Sequence, residues 1–407
     1  MIDMKGSQAD RWLRVLLVDP SLFTAPYDAA LTEGLVGAGI RPTWATRPKR
    51  AGDRQEIPEE YVDDFFYRNV DSLTTLPKLI RSTVKGIAHV WGLIRLVVRV
   101  WRQRPDIVHV QWVVLPPLDI IALWLIGRVC PIVLTAHDTV PFNGLHVSLL
   151  HNLGFNLPLR LADAVIVHTA TGQRRLVERG IDAHKIHVIP HGPLKLPVSP
   201  SRRDHRHDAR YTFTLFGELK PYKGIDLLVE AAAKLDASVR SGLRIVIAGR
   251  EWMDLTAIRG RIAELELQAT IDLRAQRQTD QQMADLFDET DCFVFPYRQV
   301  DASGVYYLVK GLGKWMVASR VGVFAEDMVD GRHGRLIDPE SVDQLTDAME
   351  QAFKRAERVV HTPGEDMSWR AIGRATAALY DKLARRGANR AGGDAACNGR
   401  ATSDDHA

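Results

Sequence analysis

Cysteine is scarce in this chain of 407 residues, which contains only Cys130, Cys292 and Cys397. These cysteines lie far apart and form neither the close pairs of a metal site nor an even-numbered disulfide framework, which indicates a reducing compartment. The N-terminus carries Asp3 and Asp10 and lacks the apolar segment of a secretory signal. We therefore expect a cytoplasmic location.

Long apolar runs and an excess of one charge are also missing. The most apolar stretch, residues 113–136, is interrupted by prolines and charged residues, whereas a spanning helix needs about 20 mostly apolar residues. Lysine and arginine number 53 and aspartate and glutamate 50, which leaves a net charge of +3. This balance argues against nucleic acid as the main partner. The length indicates two globular domains.

One stretch in the middle of the chain has the order strand, loop, helix. Tyr211–Phe216 predicts a strand that ends at Gly217, and Ile225–Leu235 is apolar at helical spacing. Lys220 and Lys223 lie in the loop between them. Because a helix N-terminus presents unpaired N–H groups and partial positive charge, this loop predicts a site for an anion such as a diphosphate. The alternative is an ordinary turn with solvated lysines.

Strands alternate with helical stretches along both halves of the chain, which predicts parallel sheets covered by helices. The other predicted strands are Arg14–Val18, Thr43–Thr46, Asp106–Gln111, Ile132–Thr135, Ala164–His168, Ile186–Pro190, Arg244–Ala248, Thr270–Leu273, Cys292–Pro296 and Met316–Ser319. Ligands of such sheets bind beyond the carboxyl ends of the strands. Five polar residues that each follow a strand are therefore expected to converge on one cleft. They are Lys220, Lys223, Arg250, Asp301 and Ser303.

The pattern divides the chain into two Rossmann-like domains of similar size, at residues 1–193 and 211–365. Residues 194–210 are rich in proline, serine, arginine and histidine and predict a linker. Residues 51–64 are acidic and predict a loop. A late amphipathic helix is expected at residues 366–386, followed by a disordered tail at residues 387–407.

The segment Lys78–Arg104 is the most lopsided part of the chain, with no acidic residue between Asp71 and Asp106. Its apolar side chains repeat at alternating steps of four and three residues and share one helical face. They are Ile80, Val84, Ile87, Trp91, Ile94, Val98 and Trp101. One interpretation is a helix with this face in the core and its basic face in solvent. The other is a basic surface that docks on anionic lipid at the inner face of the plasma membrane, at about 1 kcal/mol per basic group. The two are compatible if the helix packs on the core and its basic face meets a membrane.

Six motifs in a fixed order carry a family resemblance. They are Thr135–Asp138, Ile189–Gly192, Phe216–Asp226, Asp291–Pro296, Gly313–Gly322 and Asp330–Pro339. Together they resemble the family-4 glycosyltransferases of the GT-B fold. The resemblance implies an α/β protein with two Rossmann-like domains whose parallel sheets face each other across a cleft, and a last helix that crosses back to the first domain. It also implies metal-independent transfer of a hexose from a nucleotide-sugar donor, with retention of anomeric configuration and without a cofactor.

The resemblance places a donor diphosphate site around Lys223. The other residues assigned to it are Gly217, Lys220, Ser303 and Gly304. The arginine that the family usually carries after the strand-ending glycine falls on Glu218, and a carboxylate cannot replace it beside phosphate. Lys220 supplies charge there but not the bidentate geometry of a guanidinium group.

Two residues are expected to be catalytic. His137 matches a cleft histidine that contacts the donor sugar, and Asp301 falls on the first of two glutamates that the family carries eight positions apart. The second glutamate falls on Leu308 or Val309, neither of which can bind a ribose hydroxyl. From the residues alone, His137 is equally well explained as a structural histidine, and Asp301 as the cap of the following helix.

The remaining assignments concern the walls of the cleft. His191, Gly192 and Arg250 are expected on the donor side, and Tyr27, Asp28, His109 and Asp138 on the acceptor side. Glu326 is expected to stabilise a turn. The expected activity is sugar transfer to a carbohydrate or lipid-linked acceptor in cell-surface polysaccharide or glycolipid synthesis. Glu218 and the missing glutamate motivate one alternative, a catalytically silent GT-B protein that binds a partner enzyme or a glycan. A sugar-nucleotide epimerase on the same fold is a further alternative.

Overall fold

The structure is a computed structural model that describes residues 12–50, 53–68, 70, 77–139, 156–201, 210–356 and 368–398. In the first domain the elements follow one another as β1 (Arg14–Asp19), α1 (Ala25–Gly37), β2 (Arg41–Thr46), β3 (Val62–Asp64), α2 (Lys78–Gln103), β4 (Ile107–Val110), α3 (Pro116–Ile126), β5 (Ile132–Thr135), β6 (Ala164–Val167), α4 (Ala170–Glu178) and β7 (Ile186–Val188).

The second domain has the same alternation of strands and helices. Its elements are β8 (Tyr211–Phe216), α5 (Ile225–Lys234), α6 (Ala237–Ser241), β9 (Leu243–Ala248), α7 (Thr256–Glu264), β10 (Ile271–Arg274), α8 (Asp280–Glu289), β11 (Cys292–Phe295), α9 (Gly304–Leu312), β12 (Trp315–Ser319), α10 (Gly322–Asp327), β13 (Gly334–Ile337) and α11 (Val342–Arg355). A last helix, α12, spans Trp369–Asn398.

Each domain is built on one parallel sheet, which confirms the predicted α/β class. The strand order is β3-β2-β1-β4-β5-β6-β7 in the first sheet and β10-β9-β8-β11-β12-β13 in the second. Each sheet changes direction beside its first strand, where β1 lies between β2 and β4, and β8 between β9 and β11. Ligands of doubly wound sheets bind at such switch points, so the topology places a ligand site at the carboxyl ends of these strands.

Helices cover both faces of the first sheet. On one face, α2 and α3 pack their inner side chains, including Leu96, Val100 and Leu123, against β1 and β4. On the other face, α1 and α12 pack together, with Leu31 and Tyr380 in one apolar cluster. The last helix thus lies on the first domain, although it follows the second domain in the chain.

Two expectations about secondary structure were wrong, and one strand was not predicted. Residues 62–64 form a strand and not a loop. They lie at the edge of the sheet and pair only with β2, so the strand does not need the alternation of apolar and polar residues that marks a half-buried strand in a sequence. Residues 334–337 form an edge strand that the pattern did not show. The tail expected to be disordered from residue 387 is helical up to Asn398, in a segment rich in alanine, the strongest helix former. Residues 399–407 lie outside the described residues.

The apolar stripe of α2 faces away from the core, so its core-facing interpretation was wrong. Ile87 and Trp91 are exposed on the outer side of the helix. The inner side is also apolar, and it carries the buried Leu93 and Leu96. Only one side of a helix can pack on a sheet, and here the inner side occupies that position.

Candidate active site

A cavity of about 1060 Å³ separates the two domains. The first domain contributes Tyr27, Trp112 and three histidines from the ends of β5, β6 and β7, and the second contributes the first two turns of α9. Trp369, the first residue of α12, also lines the cavity. The cavity therefore lies at the carboxyl ends of the strands, as predicted.

The three histidines of the cavity are His137, His168 and His191, and each follows a different strand of the first sheet. Because β5, β6 and β7 are neighbours, their ends bring these side chains together. The Nδ1 atom of His137 lies 3.3 Å from Nε2 of His168, and its Nε2 atom lies 3.1 Å from Oε1 of Gln111. The predicted cleft residues His137 and His191 thus share one wall, and sequence reasoning missed His168.

Burial keeps this histidine cluster neutral at physiological pH. Loss of solvent lowers the pKa of His168 to about 4 and holds the pKa of His137 and of His191 well below the usual value. The neighbouring imidazoles lower the pKa of His137 further. A neutral imidazole has one N–H donor and one acceptor nitrogen and supplies no positive charge. Gln111 and His168 engage both nitrogens of His137 in the structure, so a sugar hydroxyl would have to replace one of these two partners.

Aromatic rings surround the histidines. Tyr27 lies 4.8 Å from His137 and 4.9 Å from His191 between ring centres. Trp112 stacks on His137 at 5.1 Å, and Tyr307 of the second domain stacks on His191 at 3.7 Å. The predicted acceptor-side residue Tyr27 therefore lies in the cavity wall, and the His191–Tyr307 pair joins the two domains.

Gly192 allows the last helix to reach the cavity. A Cβ atom at this position would lie 2.7 Å from Cε2 of Trp369, so a larger residue would displace the indole. The indole Nε1 donates a hydrogen bond of 2.7 Å to the carbonyl oxygen of Pro193. The predicted cleft residue Gly192 therefore acts through the space that it leaves for Trp369.

The side chain of Lys223 is 4% exposed and lies at the end of β8. Its Nζ atom donates to the carbonyl oxygen of Phe216 at 2.8 Å. A Cβ atom at Gly217 would lie 2.6 Å from this nitrogen and 3.1 Å from Cγ2 of Val305. Gly217 has a positive φ of 106°, which favours glycine. The ammonium group thus lies between the strand end and the first turn of α9.

The N-terminus of α9 opens toward the cavity beside this lysine. Ser303 caps the helix by accepting from the N–H group of Tyr306, so the alternative that Asp301 is the cap was wrong. A Cβ atom at Gly304 would meet no atom within 4 Å. Gly304 and Val305 line the cavity, whereas Lys223 lies behind them. Burial lowers the pKa of Lys223 to about 7, which an approaching anion would oppose.

The second predicted cation, Lys220, is engaged elsewhere. Its Nζ atom lies 2.8 Å from the carboxylate of Glu218 and 5.6 Å from the ring centre of Trp252. The guanidinium group of Arg250 lies 4.8 Å from the same ring. Lys220 and Arg250 therefore flank an exposed tryptophan. Neither of these two side chains belongs to the cavity lining. Glu218 neutralises Lys220, which weakens the predicted two-lysine anion site.

The carboxylate of Asp301 contacts the first domain. It accepts hydrogen bonds of 2.7 Å from the backbone N–H and 2.6 Å from the hydroxyl group of Thr139, and it forms an ion pair with Arg175. Ala302 and Gly304, but not Asp301, line the cavity. In the structure Asp301 thus holds the domains together, and its catalytic role stays a prediction.

A second carboxylate that joins the domains was missed by sequence reasoning. Glu326 accepts hydrogen bonds of 2.7 Å from the N–H of Ala170 and 2.6 Å from that of Thr171, at the N-terminus of α4 in the first domain. It was expected to stabilise a local turn. A contact between residues 156 positions apart leaves no local signal in the sequence.

Replacement of Glu326 by alanine is expected to loosen the two domains. Helix-capping interactions contribute roughly 0.5–2 kcal/mol, and an exposed one lies toward the low end. We expect a melting temperature about 2–4 °C lower and a larger radius of gyration by small-angle scattering. Glu264→Ala, which removes a carboxylate paired inside the second domain, is the control. Equal melting and scattering of both variants would contradict the contact.

Two predicted acceptor-side residues do not reach the cavity. The imidazole of His109 is fully buried between Tyr380 and Thr135, at 2.6 Å and 2.7 Å, and burial lowers its pKa to about 3. Asp28 is fully buried beside Asp19, so its assignment to the acceptor side was also wrong. Both side chains point into the core because α12 and the loop after β1 cover them. Asp138 lies in the cavity wall, as expected.

The pair of buried carboxyls predicts an unusual pH dependence of stability. Burial raises the pKa of Asp28 well above its usual value, with repulsion from Asp19 adding to the effect. A carboxyl with a raised folded-state pKa contributes stability that is present below the unfolded pKa and is lost as pH rises through the folded one. We therefore expect Asp28→Asn to raise the melting temperature at pH 8 and to flatten its decrease above about pH 4. Asp343→Asn, at an exposed carboxylate, should change neither.

The position of the missing ribose-binding glutamate carries apolar groups. Leu308 lines the cavity, and Val309 is buried beneath it. On the far side of α9, Lys310 and the hydroxyl group of Tyr306 bind the carboxylate of Asp327 at 2.6–2.7 Å. The helix therefore presents no carboxylate at the expected place, as the sequence indicated.

Comparisons with known proteins agree with this architecture. Residues 29–192 match the family described as Glycosyltransferase Family 4, and residues 199–362 match Glycosyl transferases group 1. A relative, D-inositol 3-phosphate glycosyltransferase of Pseudarthrobacter chlorophenolicus, is 24% identical over 352 residues, which cover 80% of this chain and 81% of that protein.

Solved structures share the fold. Anabaena HepE, in complex with UDP and glucose, has a TM-score of 0.62 at 17% identity over 94% of this chain and 100% of that one. Sucrose-phosphate synthase from Thermosynechococcus elongatus has a TM-score of 0.64 at 17% identity over 91% and 99%. The two family matches together span most of the chain, each on one domain of a GT-B architecture. The protein therefore belongs to the family-4 glycosyltransferases.

Proposed function

We propose that the protein moves a sugar from a nucleotide-diphosphate donor to a carbohydrate or lipid-linked acceptor, with retention of anomeric configuration and without a metal. The observation that carries this proposal is the buried ammonium group of Lys223, which lies beside the first turn of α9, the part of the helix that lines the interdomain cavity. Burying a cation is costly, so a buried lysine with a strongly lowered pKa favours a site that receives an anion.

The leaving diphosphate is the group that needs most stabilisation. Lys223 and the N–H groups of the first turn of α9, at Gly304 and Val305, supply positive charge before the bond breaks. A single well-placed donor of this kind contributes about 3–4 kcal/mol to catalysis. The neutral imidazole of His137 orients the sugar through a hydroxyl group, and closure of the domains excludes water.

Retention follows if the acceptor attacks on the face that the diphosphate leaves. The bond between the anomeric carbon and the phosphate oxygen breaks, the bond to the acceptor oxygen forms, and a phosphate oxygen takes the acceptor proton. No protein nucleophile takes part. This scheme is supported by the engagement of Asp301 with Thr139 and Arg175, which holds that carboxylate outside the cavity lining.

A panel of nucleotide sugars tests the activity. UDP-sugars come first, because HepE was solved with UDP-glucose, and inositol phosphate belongs among the acceptors, because curated relatives are named for it. We expect release of nucleoside diphosphate with one donor and an α-linked product by NMR. A β-linked product would refute retention, and a donor converted without any acceptor would indicate an epimerase.

One observation favours a second candidate, a protein that binds donor or glycan without turnover. Glu218 neutralises Lys220 at 2.8 Å, which leaves Lys223 as the main cation of the site. A single cation binds a diphosphate but stabilises its departure less. Calorimetry with UDP and UDP-glucose beside the turnover assay separates the two. Binding without product across the donor panel would establish the silent protein.

A further inference from the structure

The outer side of α2 and α3 concentrates the exposed apolar side chains of the first domain. Nine of the seventeen exposed large apolar residues in the described part of the chain lie on these two helices. We call this surface the outer apolar face. It consists of Ile80, Ile87, Trp91, Ile94, Val98, Trp101, Leu118, Ile121 and Trp124, which are 37–65% exposed.

The two helices form one continuous surface. The indole Nε1 of Trp101 donates to the carbonyl oxygen of Leu125 at 3.3 Å, so the exposed sides of α2 and α3 adjoin. At another point along the two helices, Nε2 of the buried His89 lies 3.0 Å from the carboxylate of Asp119, which fixes the helices to each other in the interior. A contiguous apolar patch of this kind marks a docking site.

Charge decides between two possible occupants. The exposed residues of α2 repeat at heptad spacing, which would suit a coiled coil with a second copy. However, α2 carries six basic residues and no acidic one, so two copies would repel each other. An anionic bilayer suits both the exposed apolar side chains and the basic residues. It accepts apolar side chains below its headgroups, and its negative headgroups attract the basic side chains beside them.

The aromatic and basic residues are arranged for this partner. Trp101 and Trp124 belong to the adjoining part of the face, and tryptophan is enriched where bilayers meet water. Arg102 and Arg128 are exposed beside them, and the guanidinium of Arg128 lies 3.6 Å from the ring centre of Trp124. These two arginines can pair with lipid phosphates at the depth that tryptophan prefers.

Two other arginines of α2 serve the fold instead. Arg95 donates to the carbonyl oxygen of Phe65 at 3.2 Å, and Arg99 pairs with the carboxylate of Asp63 at 2.7 Å. Part of the basic side of the helix, which the sequence suggested as the lipid-binding surface, is therefore engaged in contacts within the first domain. The apolar side takes that role.

We propose that the outer apolar face docks the protein on an anionic lipid bilayer, with α2 and α3 lying in the plane of the headgroups. Among the helices of the described residues, none meets the length and hydrophobicity of a membrane span. The chain runs from Trp112 in the cavity wall directly into α3. Docking would therefore hold the acceptor side of the cavity close to the lipid surface.

Vesicle flotation tests the proposal without any assumption about sugar transfer. We expect the full chain to bind vesicles of phosphatidylcholine mixed with phosphatidylglycerol, and to bind phosphatidylcholine alone much more weakly. Ile87→Ser/Trp91→Ser should weaken binding about tenfold or more, because two apolar side chains no longer enter the bilayer. Val177→Ser/Val329→Ser removes two exposed apolar side chains outside the outer apolar face and should bind normally.

A second variant separates charge from apolar contact. Arg102→Glu/Arg128→Glu should lower binding to the anionic vesicles and remove its dependence on salt. All variants should keep the wild-type melting curve, since every changed side chain is exposed. Failure of the wild type to bind, or equal binding by Ile87→Ser/Trp91→Ser, would overturn the proposal. So would a concentration-dependent dimer in sedimentation that this apolar variant dissociates, because the face would then belong to a second copy.

Discussion

Replacing Lys223 by methionine is expected to lower the rate of sugar transfer by about 10²–10³. The ammonium group lies beside the first turn of α9, where the proposed mechanism places the leaving diphosphate, and methionine keeps the apolar stem but removes the positive charge. The variant should remain folded, because it loses one hydrogen bond to Phe216 and also loses a costly buried cation. Turnover with the best donor, measured beside thermal melting, checks both expectations.

Two lysine variants serve as controls for Lys223→Met. Lys220→Met should have a smaller effect, since Glu218 already neutralises that ammonium group. Lys234→Met removes an exposed lysine paired with Asp343 and should leave the rate unchanged. Equal activity of Lys223→Met and wild type would contradict the diphosphate site.

The pKa of Lys223 adds a readout that a merely structural lysine would not give. Because burial lowers this pKa to about 7, the ligand-free ammonium group loses its proton above that pH. Donor binding that needs the charged form should then weaken up to about tenfold per pH unit above 7. Calorimetry should show this dependence in the wild type and not in Lys223→Met.

Substituting Gly373 by valine is expected to have the largest effect on stability. The helices α1 and α12 cross with their backbones in contact at Gly34 and Gly373, and a Cβ atom at Gly373 would overlap the carbonyl group of Gly34. Overpacking of this kind costs about 1–3 kcal/mol or more, and here the opposing atoms belong to a helix backbone that cannot rotate away. This clash exceeds the gain of up to about 1 kcal/mol from removing a helical glycine.

The consequence for the fold is separation of the last helix from the first domain. α12 buries Ile372, Tyr380 and Leu383 against that domain, and the Tyr380 hydroxyl lies 2.6 Å from Nδ1 of His109. We expect Gly373→Val to melt at a lower temperature and to release α12 to proteolysis. Ala375→Val, two residues along on the exposed side of the helix, is the matched control. A melting temperature equal to that of the control would show that the helices can shift without cost.

The sequence by itself determined the class of the fold and indicated the cation on which the proposed donor site depends. Strands buried in a parallel sheet are continuous apolar runs, so Ile132–Thr135 and Ala164–Val167 were recognisable without any partner. Lys223 was recognisable because strand, glycine and helix start follow one another within a few residues, and this local order predicts an anion site.

Only the tertiary structure decided which side of each helix meets the core and which side chains cross between domains. α2 is apolar on two sides, and periodicity cannot tell which of them packs on the sheet. Glu326 and Asp301 bind groups of the first domain that are more than a hundred residues away in the chain. Asp28 is buried beside Asp19 because neighbouring parts of the first domain cover it. Such contacts depend on the packing of whole domains, and no local pattern of residues records them.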